Sequence, residues 1–407
     1  MAGKCIARLP IFDRRQHVYG YELSFRTGIH DLFDGPDADE SSCLGISDSL
    51  YVNGFEQLVG NRTAFIHFPR ELLVSSSATF LRNDIAVIEI PRSIQPDAEV
   101  RSACRRLRGH GYRLALDNVD SMDRLRDFLG LVSLVSVDFA ATTEEERAVL
   151  APQIADSGTN MLAKNVPTFE SIPQAIDLGF TYFHGSFILN PQISPDREFA
   201  PFRLNYVRML QAVNRPQIRM EEIEQIIKSE PIFCHKLLTY LNSPAFGFRT
   251  QIRSIRHALS LLGIKEVKFW ASLIAVVSMA ESLPEIIPLT ALTRAFWCEY
   301  LATKIGILDQ KESFFLLGLL SMMDVILGLP MAEVLSELLV AEEVKVALLL
   351  SDDSSLANVL RMMLAYERGA WEEFNCMSTV LRLPPEATAR AYLDALGWAG
   401  TLYQRCS

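Results

Sequence analysis

The sequence predicts an α/β domain followed by an all-α domain: a βα (TIM-like) barrel, then a purely helical region. Three observations carry this. Short apolar, strand-like runs alternate with amphipathic helical stretches through the first half. Near residue 200 the alternation stops and only helical periodicity remains. Between the two lies LNPQISPDREFAPF (189–202), whose three prolines mark a linker. The expected domains are 1–195 and 196–407.

The strand-like runs are IARLPIF (6–12), VYGYELSF (18–25), TAFIHF (63–68), IAVIEI (85–90), YRLALD (112–117), LVSVDF (134–139), MLAK (161–164) and TYFHG (181–185). Amphipathic stretches such as CLGISDSLYVNGFEQLVG (43–60) and AEVRSACRRLRGHG (98–111) separate them. Continuous apolar runs indicate strands covered on both faces, as in a parallel sheet. About eight of them with intervening helices suit a closed barrel better than an open sheet. In the second half RLNYVRMLQAVN, MEEIEQIIK, IFCHKLLTYLN, SIRHALSLLG and EVKFWASLIAVVSMA read as helices broken by Asn, Gly and Pro. The last stretch, PEATARAYLDALGWAGTLY (385–403), reads as an amphipathic helix.

The 407 residues, 49% of them hydrophobic, are enough for two or three cores. A net charge of −10 offers no basic field to steer nucleic acid, so no nucleic-acid partner is expected. Seven cysteines, odd in number and without a CxxC pair, fit reduced thiols in a cytosol rather than a disulfide framework or zinc site. Met1 to Pro10 holds no apolar leader core, so a cytoplasmic location is expected. The apolar run Phe314 to Met331 is nearly long enough to span a bilayer. Asp324 near its middle would cost roughly 2.5–3.5 kcal/mol in lipid, and Gly328 and Pro330 close it early. A buried helix is expected there, and no membrane span.

Four acids, Glu22, Glu89, Asp117 and Asp138, end or nearly end strand-like runs. Strand C-termini converge on one face of a βα barrel, where sites are built. Four carboxylates in one mouth would suit magnesium or manganese; taken singly, each is equally an N-cap or loop acid.

The surrounding residues resemble the EAL family. GYELSFR (20–26) is similar to its G-x-E-A-L-x-R motif. IHFPRELL (66–73), VIEIPR around Glu89, LALDNVD (114–120), VSVD (135–138), LAKNVPT (162–168) and HGSFILNP (184–191) resemble the later family segments in the same order. The resemblance implies a barrel that hydrolyses cyclic di-GMP with two metal ions. Glu22, Arg26, Glu89, Asp117 and Asp138 remain. At other positions this chain departs from the family: the metal-binding asparagine is His67, the second aspartate is Asn118, the lysine is Ser136, a glutamate is Lys164 and the closing glutamine is His184. A unit-charge contact at about 4 Å and an effective dielectric near 20 is worth about 4 kcal/mol, so an ammonium in place of a carboxylate works against two dications. The resemblance therefore implies a degenerate site without metal or other cofactor. In it Lys164 pairs with Glu89 or Asp117 as counter-charge, and His67 and His184 are packed rather than ligating.

The stretch IIKSEPIFCHKLLTYLNSPAFGFRTQIRSIRHALSLLGIKEVKFW (226–270) resembles the HDOD domain, a relative of HD-type metal phosphohydrolases. His235 and His257 are the second half's only histidines, and neither precedes an aspartate. GLLSMMD (318–324) carries Ser321 and Met322 where an HD enzyme would carry His and Asp. No metal hydrolase is expected there. A degenerate EAL barrel joined to HDOD is similar to the YuxH-like bacterial signalling proteins. The implied function is a non-catalytic regulator in cyclic di-GMP signalling, acting through protein partners held by the helical half. Phe248, Arg249 and Arg253 are the candidate interface anchors. The alternatives are a cyclic di-GMP receptor that binds without cleaving, supported by Arg26 as a phosphate-seeking guanidinium, and an active phosphodiesterase.

Overall fold

Strands β1 (Ile6–Asp13), β2 (Val18–Phe25), β3 (Thr63–His67), β4 (Ala86–Ile90), β5 (Arg113–Leu116), β6 (Leu134–Asp138), β7 (Asn160–Lys164) and β8 (Tyr182–His184) close into a barrel in chain order. The structure is a computed structural model that describes residues 5–26, 57–75, 81–128, 130–188, 201–215, 217–241 and 254–406. β1 runs antiparallel to both its neighbours, β2 and β8, and every other pair is parallel. The β1–β2 turn is local chemistry: Asp13 Oδ1 accepts from the Arg15 and His17 amides at 2.8 and 2.9 Å. Parallel strands covered on both faces bury continuous runs, and all five residues of β4 are buried.

Two of the helices after the strands begin at side-chain caps. Asp97 accepts from the Val100 amide at 2.9 Å and starts Ala98–Gly109, which buries Val100, Ala103, Cys104 and Leu107 at helical spacing. Thr143 and Glu146 form a capping box before Glu144–Asp156.

Past residue 200 the described elements are helical, among them Pro201–Asn214, Met220–Ser229, Ile255–Met279, Ile286–Ile305 and Lys311–Leu320. Gly263, with φ at 74°, breaks the regular backbone of Ile255–Met279. Gly318 lets Lys311–Leu320 lie directly on Ile286–Ile305, because a Cβ there would collide with the Arg294 backbone. The apolar run beginning at Phe314 is buried as foreseen, but as two helices, Lys311–Leu320 and Met323–Leu327, parted at Ser321 and Met322. Among the described residues no helix is long and apolar enough to cross a membrane.

The chain divides into two compact units. One comprises Met1–Asn190, Leu364–Asn375 and Pro384–Leu393; the other comprises Pro191–Met363, Cys376–Leu383 and Asp394–Ser407. The barrel unit thus includes two C-terminal stretches that the sequence reading placed with the helical domain. Polar contacts show why they belong. Tyr366 Oη accepts from the Ile6 amide and donates to its carbonyl, both at 3.1 Å. Trp371 Nε1 donates to Ser24 Oγ at 3.2 Å.

Candidate functional site

The barrel interior is laid down two residues at a time, because alternate side chains on a strand share a face. A lower layer of Ile11, Phe65, Val87, Ala115, Leu134 and Leu162 is buried and apolar, with Tyr19 and Tyr182 packed against it. Two positions further along the strands stand His67, Glu89, Asp117, Ser136, Lys164 and His184. Glu22 joins them from β2 as the register partner of Phe65. The upper layer is therefore polar throughout, one residue from nearly every strand end.

Lys164 is its centre. Its Nζ lies 2.9 Å from Glu22 Oε2, 3.0 Å from Glu89 Oε1 and 2.8 Å from Asp117 Oδ1. Only the bond to Asp117 has hydrogen-bond geometry; the other two are ion pairs. His67 stands on the opposite side of the acids, with Nε2 at 3.1 Å from Asp117 Oδ2 and 3.4 Å from Glu89 Oε2, and Nδ1 at 3.8 Å from Glu22 Oε1. Ser136 Oγ donates to Asp117 Oδ1 at 2.7 Å and accepts from the Asn118 amide at 2.8 Å. The Val119 amide donates to the Ser136 carbonyl at 2.8 Å. These bonds pin the turn at Asn118, whose φ of 48° asparagine tolerates better than most residues. Asp117 is thereby held rigidly toward Lys164.

Proton affinities follow from this packing. Burial alone would disfavour the Lys164 charge, but the three carboxylates outweigh it and hold the ammonium well above its ordinary value. Burial would lift Glu22, yet Lys164, His184 and His67 bring it down to about 2. Asp117 is also held below the usual carboxylate range, burial being overcome by the His67 bond and the Lys164 charge. Glu89, fully buried, is pushed up to about 7 by burial in spite of Lys164, with Glu22 adding to the rise. Burial works against the His67 charge, but Glu89 and the Asp117 bond raise it to about 9. His184 is pushed down by burial, with Glu22 working against the fall; its Nδ1 has no hydrogen-bond partner among the described residues.

Glu22, His67 and Glu89 can each turn one ligand atom within 4.8 Å of the others, a donor set that by composition suits a hard cation. The ammonium decides against it. Lys164 Nζ already contacts all three acids within 3.0 Å, and with the raised His67 it supplies two positive charges to three carboxylates. Two divalent ions do not fit a site already close to neutral.

The expected fourth carboxylate does not join the cluster. Asp138 Oδ1 accepts from the Ala140 and Ala141 amides at 2.8 and 3.3 Å, and Oδ2 accepts from Asn165 Nδ2 at 3.0 Å. A short acidic side chain bonds readily to the backbone just ahead of it, so Asp138 fixes its own loop. Arg26 Nε donates to Asn375 Oδ1 at 2.8 Å. Phe248, Arg249 and Arg253 lie outside the described residues. Sequence reasoning did not find Ser136 as the support of Asp117, although a hydroxyl on the same strand face was its signal. Nothing local announces Asn375.

Fold and site together define a two-part protein: a closed barrel whose mouth holds an internal ammonium among carboxylates, and a helical domain. Residues 200–361 match the HDOD domain family. Over almost its whole length the chain is similar to the uncharacterized protein YuxH of Bacillus subtilis, 29% identical over 406 residues and 98% of each chain. It is also similar to the cyclic di-GMP phosphodiesterase CdgJ of Vibrio cholerae, 27% identical over 399 residues, 97% of this chain and 92% of that one. Solved structures that resemble part of it include an EAL domain protein from Listeria monocytogenes (14% identity, TM-score 0.34, 46% of this chain and 87% of that one). Another is Bacillus subtilis YkuI, a protein with an EAL domain, in complex with c-di-GMP and calcium (18% identity, TM-score 0.34, 60% and 66%).

Proposed function

We propose that this protein is a non-catalytic, cytoplasmic regulator linked to cyclic di-GMP signalling, with residues 1–195 as a degenerate barrel domain and 196–407 as the partner-binding domain. The link to the nucleotide rests on the similarity to CdgJ, named a cyclic di-GMP phosphodiesterase. The observation that carries the absence of catalysis is Lys164 Nζ, seated 2.8–3.0 Å from Asp117, Glu22 and Glu89. Two-metal hydrolysis needs anions that hold two dications and acidify a water; here the same anions are matched from within. Protein contacts then remain as the means of action, with Phe248, Arg249 and Arg253 as their candidate anchors.

The test is a product assay on the full chain with cyclic di-GMP in magnesium and in manganese. No linear dinucleotide is expected. Turnover at ordinary enzymatic rates that Glu22→Ala abolishes overturns the reading. Binding without cleavage is the second reading. Arg26 supports it, since a guanidinium suits a phosphate oxygen. Its Nε is engaged by Asn375, so a phosphate would have to be met by the terminal nitrogens. Calorimetric titration of cyclic di-GMP, with and without magnesium, separates the two.

A further inference from the structure

Beyond the mouth, one face of β2 carries a further set of polar groups. Alternate residues of a strand share a face, so Ser24 and Arg26 stand on the side of Glu22, further along the same strand. The pairing with β1 holds that far, because the Arg26 amide donates to the Cys5 carbonyl at 3.1 Å. Both side chains are met by the stretch Leu364–Asn375, which belongs to the barrel unit. Trp371 Nε1 donates to Ser24 Oγ at 3.2 Å, and Asn375 Oδ1 accepts from Arg26 Nε at 2.8 Å. Gly369, with φ at 66°, brings the backbone so near that a Cβ there would lie 2.7 Å from Ser24 Oγ.

The stretch has a fixed base and a lighter edge. Tyr366 and Phe374 are buried, and Tyr366 holds both polar groups of the Ile6 backbone. Trp371 and Asn375 are only half-buried, as is Arg26. The edge can therefore let go without unpacking the base. A planar guanidinium presents parallel N–H pairs along its edges, and Nε belongs to one of them. While Asn375 holds Nε, that edge is closed to a phosphate. The amide oxygen is a neutral acceptor, whereas a phosphate oxygen is an anion, and bonds to an ion are about twice as strong. A phosphate that reaches Arg26 is thus able to displace Asn375.

We propose that Leu364–Asn375 is a built-in competitor for the phosphate of cyclic di-GMP. Asn375 occupies Arg26 in the unliganded protein; the nucleotide takes the guanidinium and releases Trp371 and Asn375 from β2. The proposal rests on the reading of the barrel as a receptor that binds without cleaving. The stretch continues in sequence into the helical unit at Met363 and at Cys376, so its release gives the nucleotide a covalent route to that unit.

Calorimetric titration of the full chain with cyclic di-GMP tests it. Asn375→Ala, which frees the guanidinium, is expected to tighten binding by about tenfold, and Asn375→Asp, which holds it with a charge, to weaken binding by about as much. Opposite signs at one position do not arise from misfolding. Trp371→Phe removes only the indole donor and should tighten binding by a few-fold. Arg26→Lys keeps a charge for the phosphate but has no Nε edge, and in that background Asn375→Ala should change affinity by less than about twofold. Hydrogen exchange gives the structural readout: amides within 364–375 should exchange faster once the nucleotide is bound. Equal affinities of wild type and both Asn375 variants, a gain that persists in Arg26→Lys, or unchanged exchange on binding overturns the proposal and leaves the barrel a receptor. No binding by any of these proteins up to about 1 mM overturns the receptor reading and the proposal together.

Discussion

The barrel mouth and a cavity in the helical unit both gather acids, and they treat them in opposite ways. In the mouth, each of three carboxylates lies within 3.0 Å of one buried ammonium. In the cavity, lined by Ile255–Met279, Ile286–Ile305 and Lys311–Leu320, Glu266 and Glu299 have no cation within ion-pair distance among the described residues, while Lys265 and Lys268 face Glu312 and Lys311 acts on Glu299 from further off. The difference comes from construction. Strand ends bring one side chain each to a common point, so a single lysine reaches every neighbour. Helix faces bring side chains to a wall rather than a point, and a charge on one helix does not reach all the others. A charge cluster closed in this way resists the removal of any one member.

The sharpest way to break this contrast is Lys164→Met. Removing one partner of a buried ionic cluster leaves the rest uncompensated, and the expected loss is about 3–5 kcal/mol. Urea unfolding of the two proteins measures it. Adding Glu89→Gln to the variant should recover part of the loss, since Glu89 is fully buried and burial already pushes its carboxyl up to about 7. A Lys164→Met protein as stable as wild type would show that the acids are neutralised by something other than the ammonium. Magnesium offers a linked outcome. It should leave the wild-type melting temperature unchanged and raise that of the variant, whose freed carboxylates can take a cation. Equal stabilisation of both would place a cation beside Lys164 and erase the contrast.

In the helical unit the corresponding weak point is steric. Gly318→Ala drives a methyl into the Arg294 carbonyl, with backbone on both sides and no flexible side chain to yield. Overpacking of this kind costs about 1–3 kcal/mol, less than the loss of Lys164. The urea midpoint is again the measure. A larger loss than for Lys164→Met would mean that close helix packing, not the charge cluster, sets the stability of the chain.

How much of this was legible in the sequence varied with the range of the interaction. The strands could be read because burial on both faces writes continuous runs such as IAVIEI. The mouth could be read because strand ends converge, and the family resemblance set Lys164 against Glu89 or Asp117 as counter-charge. Asp138 was misplaced there because its position on the strand fits the cluster, whereas its oxygens are claimed by amides two and three residues ahead. The Tyr366 bond to Ile6 joins positions 360 apart in sequence. No periodicity encodes such a pairing, so the C-terminal stretches were read only as amphipathic helices. The cavity was hidden for another reason. Phenylalanines at helical spacing look the same whether they fill a core or line a hollow.

The smallest expected effect sharpens the account of His67. Its folded value is raised to about 9 from 6.5, so the protonated form is favoured by folding. The stability it contributes is complete below pH 6.5 and is lost as pH rises through about 9. Glu89, raised from 4.5 to about 7, acts in the same sense, its contribution falling as pH rises through about 7. Glu22, lowered from 4.5 to about 2, acts oppositely: its contribution is present above pH 4.5 and disappears as pH falls toward about 2. Stability should therefore peak near pH 4.5, fall from there to about 7 as the Glu89 contribution is lost, and go on falling from 6.5 to about 9 with that of His67. The His67 side chain is 37% exposed, so solvent screening keeps its share of the decline small. His67→Gln isolates that share: the variant should lose the part of the slope above pH 7 and keep the part below it, which belongs to Glu89. Urea midpoints across this range decide the matter. An unchanged slope in the variant would mean that Lys164 alone balances the acids, leaving the imidazole a bystander at the edge of the mouth.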